Sequence, residues 1–343
     1  AREYGEKALH LDPGLAEAHH NLGLTFLALG RPADAAQCFL RARAIKPMLP
    51  HVPAALGHAY RDLGQFEDAR AAYDAALQVA PGFGDAIINR AYLFLMQGDF
   101  KRGWDEYENR FTATGTGKRD FSLPRWQGEN LAGKTVLVHA EQGIGDEIMF
   151  ASCLPDLITV SGRVVIECSQ RLASLFLRSF PQAHVHGGKK EDSTDWIAGV
   201  GGVDYQVPIG SLPRFFRRTR VAFPRHAGYL HADPVCVSRW RTRLQTLGGK
   251  FCIGLSWRGG AHKTGMRLRS VPLSELAPIL QRQDAAFVSL QHDVPHDCHE
   301  ARLAEESRIH VFPAVTDDLD ELAGLLNALD LIVSVDNTNV HLA

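Results

Sequence analysis

The sequence predicts an α + α/β protein: antiparallel helix-pair repeats, then two parallel α/β units. Three observations predict this. Small and aromatic residues recur every 34 positions through the first third. A polar, turn-rich stretch, TATGTGKRDFSLPRWQGENL, covers 112–131. Beyond it, short β-rich runs alternate with amphipathic stretches, the pattern of a parallel sheet with crossover helices. The domain organisation that follows is repeats over 1–112, a linker over 113–131, and α/β units over 132–232 and 233–343.

The repeats come first. Gly23 pairs with Gly57, Phe26 with Tyr60, Gly30 with Gly64, Ala35 with Ala69, Phe39 with Tyr73, Ala42 with Ala76 and Pro47 with Pro81. Small residues let two antiparallel helices approach, an aromatic fills the space between them, and proline ends the second helix because it has no amide hydrogen. A third unit keeps Phe94, Gly98 and Tyr107 in phase, but Gly103 replaces the alanine and Arg110 breaks the pattern. This period and these residues resemble the tetratricopeptide repeat, which implies a surface for a protein or peptide partner.

Bulk properties exclude some functions. A formal net charge of -2 gives no basis for bulk binding of nucleic acid. No apolar run is long enough to cross a membrane. The cysteines at 38, 153, 168, 236, 252 and 298 form no CxxC pair and read as reduced, mostly buried thiols, the usage of a cytoplasmic protein. The arginine cluster of Arg214-Phe-Phe-Arg-Arg-Thr-Arg220 is expected on a solvated helix face or loop.

In the α/β part, strands are expected at Thr135–His139, Arg163–Glu167, Phe251–Ser256, Ala286–Leu290 and Leu331–Val335. Ligands of open parallel sheets lie at the carboxyl ends of the strands. The first strand runs into Gly143-Ile-Gly145-Asp146, a turn that leads into a helix whose first amides face outward. It is neither GxGxxG nor a Walker loop. Asp146 suits a helix N-cap or first turn. Glu147 is a possible second acid, expected in solvent. In the second unit Gly259-Gly260 follows a strand, with Arg258, His262, Lys263, Arg267 and Arg269 close by. Cations around a glycine turn suit a diphosphate. The last strand leads to Asp336-Asn337-Thr338-Asn339-Val340-His341, which offers side-chain oxygens and amides to an anion.

The stretch TVLVHAEQGIGDEIMFASCLPDL resembles the start of the family 9, heptosyltransferase-like glycosyltransferases of the GT-B type. Gly-Trp-x-x-Tyr-Glu at 103–108, Pro124-Arg-Trp126 and HAEQG at 139–143 resemble a bacterial subgroup that carries tetratricopeptide repeats ahead of that domain. The resemblance implies two Rossmann-like units, an inverting and metal-independent transfer, and no cofactor beyond a nucleotide-diphosphate sugar as substrate. It also implies a protein or glycan acceptor, recruited through the repeats. It assigns Asp146 as the base that deprotonates the acceptor hydroxyl. The family's Asp-Thr/Ser-Gly-x-x-His signature aligns with Asp336, Asn337, Thr338 and His341, with Asn337 and Thr338 standing where Thr/Ser and Gly are usual. Arg269 stands where the family has lysine; Arg258 and Lys263 join it as donor-binding residues on the strength of the cations around the glycine turn. The family continues for further strands and helices beyond the position of Ala343, so the chain is expected to be a fragment. The alternative is a repeat-based binding scaffold whose glycosyltransferase-like domain no longer catalyses.

Other features are discounted. His292-Asp-Val-Pro-His-Asp-Cys-His299 looks metal-like, but Pro295 interrupts any helix and a surface loop is expected. Asp318-Leu-Asp320 precedes an apolar-periodic helix, so capping is the expected role. Glu167, at the end of the second strand, is the only acid placed for a dinucleotide site.

Overall fold

A computed structural model describes residues 1–113, 119, 121–189, 192–225, 228–259, 269–292, 309–312 and 315–343. Lys263, His262, Arg267 and most of the histidine-rich loop lie outside the described residues. The chain divides into two compact units, Ala1–Lys118 with Pro213–Pro224, and Arg119–Leu212 with Arg225–Ala343.

The first unit is helical: α1 (Arg2–Leu11), α2 (Ala16–Ala28), α3 (Pro32–Ile45), α4 (His51–Asp62), α5 (Phe66–Val79), α6 (Gly84–Met96), α7 (Phe100–Tyr107) and the short α8 (Arg110–Ala113). Two sets of glycines explain the period. Gly30, Gly64 and Gly98 have φ of +71°, +73° and +78° and turn each first helix into its second. The amide beyond each turn reaches back to the carbonyl of Phe26, Tyr60 or Phe94 at 2.9 Å, the bond of a Schellman cap. Gly23 and Gly57 serve a different purpose. A Cβ there would meet the ring of Phe39 or Tyr73 at 2.5 Å, so only glycine admits the aromatic. In the third repeat the close approach moves to the second helix, where a Cβ on Gly103 would lie 2.6 Å from Leu95. Arg110, in the alanine position, is fully buried with its guanidinium 4.5 Å from the Tyr107 ring and 2.9 Å from Glu108 Oε1.

The Arg214–Arg220 cluster departs from expectation. Rather than lying in solvent, it packs on α7: Arg218 Nη1 and Nη2 each donate to the Asp105 carboxylate at 2.9 Å, and Arg214 Nε donates to it at 3.2 Å. Trp104 Nε1 donates to Arg217 O at 3.0 Å, and Phe223 packs 4.7 Å from Phe100. The segment 213–224 is a strap over the last repeat.

The second unit holds two parallel sheets. Its elements are β1 (Thr135–His139), α9 (Ile144–Ala151), α10 (Leu154–Val160), β2 (Arg163–Ser169), α11 (Ala173–Ser179), β3 (His184–Gly188), β4 (Tyr205–Pro208), α12 (Pro234–Gln245) and β5 (Phe251–Ser256). There follow α13 (Ala277–Leu280), β6 (Ala285–Ser289), β7 (Ile309–His310), α14 (Leu319–Ala328), β8 (Leu331–Ser334) and α15 (Thr338–Leu342). The described strands are ordered β3-β2-β1-β4 and β7-β6-β5-β8. Register places Leu137 beside Val165 and Leu255 beside Ser289 and Val333. The stretch expected as a linker is partly core: Phe121, Trp126 and Leu131 are buried, and Trp126 N donates to Gln206 O on β4. Cys153, Cys168, Cys236 and Cys252 are buried. Among the described residues no helix is long and apolar enough to cross a membrane.

Candidate functional site: a cleft at the strand ends of the second unit

The carboxyl ends of both sheets in the second unit open onto two cavities that share Ile144 and Arg171. One, of about 330 Å³, lies at the ends of β1, β2 and β3 and includes Glu147, Glu167, Ser169, Gln170 and Lys189. The other, of about 150 Å³, lies at the ends of β5, β6 and β8 and includes Ser256, Gln291, His292, Thr316, Thr338 and Asn339. No aspartate or glutamate is among its described wall residues.

The glycine turn and the terminal motif meet here. Gly143 caps α9, and its amide donates to Asp146 Oδ2 at 3.0 Å, so one carboxylate oxygen closes the first helical turn. This is the first-turn role expected of Asp146. A Cβ on Gly145 would lie 3.3 Å from His341 and 3.6 Å from Thr338 Oγ1, so glycine lets α9 and α15 approach. Gly143 and Ile144 reach the cavity walls, whereas Asp146 is not among the described residues that form them.

Glu147 is not in solvent as expected. It is buried, and Oε2 accepts Ser169 N at 2.8 Å. Glu141 is buried as well, and Oε1 accepts Gly210 N at 2.9 Å. A buried carboxylate is tolerated when it satisfies a main-chain amide that would otherwise have no partner. These two carboxylates tie the ends of β1, β2 and β4 together around the turn. Alternating acids on a helix start give the same sequence signal as a solvated face, so only burial separates the two. Glu167 forms a buried ion pair with Arg119, and burial pushes its carboxyl up against the pull of that cation. Its carboxylate is thus already committed, which removes the one acid placed for a dinucleotide ribose. His139, at the end of β1, has Nε2 2.8 Å from Gln206 Oε1, and burial pushes its imidazole down to about 4.

The second half is built from amides and hydroxyls. Asn337 Nδ2 donates to Ser256 Oγ at 2.7 Å and Arg258 O at 3.1 Å, while its Oδ1 accepts Asn339 N at 2.9 Å and caps α15. The Asn337 side chain is therefore spent on joining the ends of β5 and β8. Asn339 Nδ2 donates to Leu290 O, and Gln291 Oε1 accepts the amides of Trp257 and Arg258. Thr338 faces the cavity. Asp336 is exposed, and its Oδ2 accepts Arg269 Nη2 at 2.7 Å. A Cβ on Gly259 would meet Asp336 O at 2.6 Å, so the two loops touch through backbone. His341 lines a separate cavity of about 140 Å³ with Tyr229, Leu326 and Asn327. Arg171, which sequence reasoning did not single out, donates to Thr316 O and Asp317 O at 3.1 Å and borders both cleft cavities. Asp318 caps α14 by accepting Asp320 N at 2.8 Å, in line with the capping reading. Among the described residues no group of three or more His, Cys, Asp or Glu is arranged to hold a metal.

Residues 16–48 and 54–115 match the tetratricopeptide repeat family. These segments are tetratricopeptide repeats. Tetratricopeptide repeats stack to present extended surfaces and point to protein–protein interaction. The chain as a whole is similar to Protein FlbA of Caulobacter vibrioides, with 30% identity over 365 residues, 100% of this chain and 61% of that protein. It thus spans less than two thirds of that relative's length. Among solved structures it is similar to MamA, at TM-score 0.30 and 21% identity over 32% of this chain and 65% of that one. It is also similar to the first TPR of Spaghetti (RPAP3) bound to HSP90 peptide SRMEEVD, at TM-score 0.28 and 18% identity over 29% of this chain and 79% of that one.

Proposed function

We propose that the chain is an inverting, metal-independent glycosyltransferase that moves a sugar from a nucleotide-diphosphate donor to a hydroxyl of a glycan or protein, with the tetratricopeptide repeats recruiting the acceptor or a partner. One observation carries the reading. The cavity at β5, β6 and β8 sets hydroxyls and carboxamides among Ile144, Leu290, Leu319 and Leu322, with Arg171 and His292 on its wall and no carboxylate among its described residues, which suits a diphosphate. The neighbouring cavity holds the acids. In this reading 132–232 is the acceptor side and 233–343 the donor side.

The acceptor oxygen attacks the anomeric carbon as the bond to the diphosphate breaks, and the proton passes to the open oxygen of Asp146. The diphosphate leaves with the bonding electron pair, its charge met by Arg258, Lys263 and Arg269. Thr338 lines the donor end of the cleft and Asn337 fixes the two strand ends there, while Asp336 and His341 flank it, Asp336 through its ion pair with Arg269 and His341 beside Gly145.

A non-catalytic scaffold is the second reading. It is favoured by the capping bond of Asp146, the ion pair of Asp336 with Arg269, and the place of His341 in a separate cavity. A thermal-shift panel of nucleoside diphosphates and nucleotide sugars, followed by a transfer assay, separates the two. Asp146→Asn keeps an acceptor for the Gly143 amide but no base, so kcat should fall roughly 100-fold or more with KM little changed. Undiminished turnover rules out Asp146 as the base, and no shift with any nucleotide leaves the scaffold reading.

A further inference from the structure

Arg171 is the one described cation on the walls of both cleft cavities. It lies in the 3-10 turn Gln170–Leu172 at the end of β2, within the second unit. The turn is fixed from two sides. Leu172 is buried, and a Cβ on Gly187 of β3 would lie 2.7 Å from Ala173 Cβ and 3.3 Å from Gln170 Cα. The side chain is held as well, because Nη2 donates to Thr316 O and Asp317 O, each at 3.1 Å. These acceptors are main-chain carbonyls, so they orient the guanidinium without neutralising it.

The carboxylates nearby are committed elsewhere. Glu167 pairs with Arg119, Asp320 pairs with Arg178, Asp317 Oδ1 lies 3.4 Å from His292 Nε2, and Glu147 Oε2 accepts Ser169 N. Among the described residues Arg171 makes no ion pair, and its Nε and Nη1 remain as donors for a ligand. Arg258 and Arg269, which the sequence singled out, are not among the described wall residues of either cavity, and Arg269 pairs with Asp336.

We propose that Arg171 is the anion-binding residue of the cleft, a cation supplied by the acceptor side that holds a phosphate at the wall the two cavities share. A phosphate there meets a positive charge fixed in place before the ligand arrives. That this phosphate belongs to a sugar donor, and is the one bonded to the transferred sugar, rests on the transferase reading; the anion site does not.

Calorimetric titration of inorganic pyrophosphate into the full chain tests it. The unsubstituted chain should bind pyrophosphate, and Arg171→Gln should bind it at least about tenfold more weakly. Arg171→Lys should recover part of that loss, since it returns the charge without the fork. Raising the ionic strength should narrow the gap between the unsubstituted chain and Arg171→Gln. Arg178→Gln is the control: Arg178 also donates to a main-chain carbonyl, His231 O, and pairs with Asp320, but it is not among the described wall residues of either cavity. Its affinity should stay within about twofold. Equal weakening in Arg178→Gln would overturn the proposal, because it reports loosening rather than a lost contact. Unchanged affinity in Arg171→Gln would overturn it too; if Thr338→Asp still weakens pyrophosphate, the donor cavity stands without Arg171. No binding of pyrophosphate to the unsubstituted chain would overturn both.

Discussion

The two halves of the α/β unit share a strand order, third-second-first-fourth, yet finish their strand ends with opposite chemistry. The first half uses carboxylates: Glu141, Glu147 and Asp146 each accept a main-chain amide. The second uses carboxamides: Asn337, Asn339 and Gln291 bridge β5, β6 and β8. Both solve the same problem, unpaired backbone groups where parallel strands stop. A carboxylate accepts only, and brings charge. A carboxamide donates and accepts without charge. The same topology therefore ends one set of strands in carboxylates and the other in carboxamides, and only the second leaves its cavity wall without a carboxylate among the described residues.

The comparison can be broken most severely at Glu147. Glu147→Ala strands the Ser169 amide and should lower unfolding free energy by roughly 2–4 kcal/mol, whereas Glu147→Gln, which keeps an acceptor, should lose about half of that. Denaturant titration followed by intrinsic fluorescence reads both. Equal losses for the two would mean the charge matters rather than the amide.

Acid should act on the first half through His139. Its folded pKa, about 4, is below the unfolded value, so the neutral form is favoured on folding. Its contribution is complete above about pH 6.5 and declines as pH falls toward 4, with on the order of 3 kcal/mol at stake. His139→Gln should flatten the stability profile between those limits. A profile as steep as that of the unsubstituted chain would assign the acid response elsewhere.

In the second half, Asn337→Ala removes donors to Ser256 Oγ and Arg258 O and the cap of α15, at a cost of about 2 kcal/mol. The smallest effect is at Asp318→Ala, about 1 kcal/mol from one lost helix cap and read as a shift in the denaturation midpoint. If Asp318→Ala proved costlier than Asn337→Ala, the carboxamide network would not be what holds that half together.

What the sequence revealed follows the same physics. The strands legible as apolar runs, β1, β2, β5 and β6, are interior in the described sheets and buried on both faces. The strands it missed, His184–Gly188, Tyr205–Pro208 and Ile309–His310, are edges, short and interrupted by His, Gly or Pro. Only β8, an edge of sequence LIVS, was apolar enough to be read. The repeats were legible because Gly23, Gly57 and the left-handed glycines are each required by one contact or one turn, repeated at fixed spacing. The strap was not, because arginines that pair with Asp105, far away in sequence, have the same local pattern as arginines in water. The rule that parallel sheets bind at their carboxyl ends singled out the glycine turn and the terminal motif separately, but neither the contact of Gly145 with Thr338 and His341 nor the burial of Glu141 and Glu147 was legible.

The most direct test of the central claim is calorimetric titration of a nucleoside diphosphate and its parent nucleoside into the unsubstituted chain and into Thr338→Asp, which places a carboxylate on a cavity wall that has none among its described residues. The account predicts that the diphosphate binds the unsubstituted chain more tightly than the nucleoside does, and that Thr338→Asp weakens the diphosphate at least about tenfold while leaving the nucleoside unchanged. Equal affinity of the diphosphate for both proteins, or no preference for it over the nucleoside, would contradict the assignment of that cavity to a phosphate-bearing ligand.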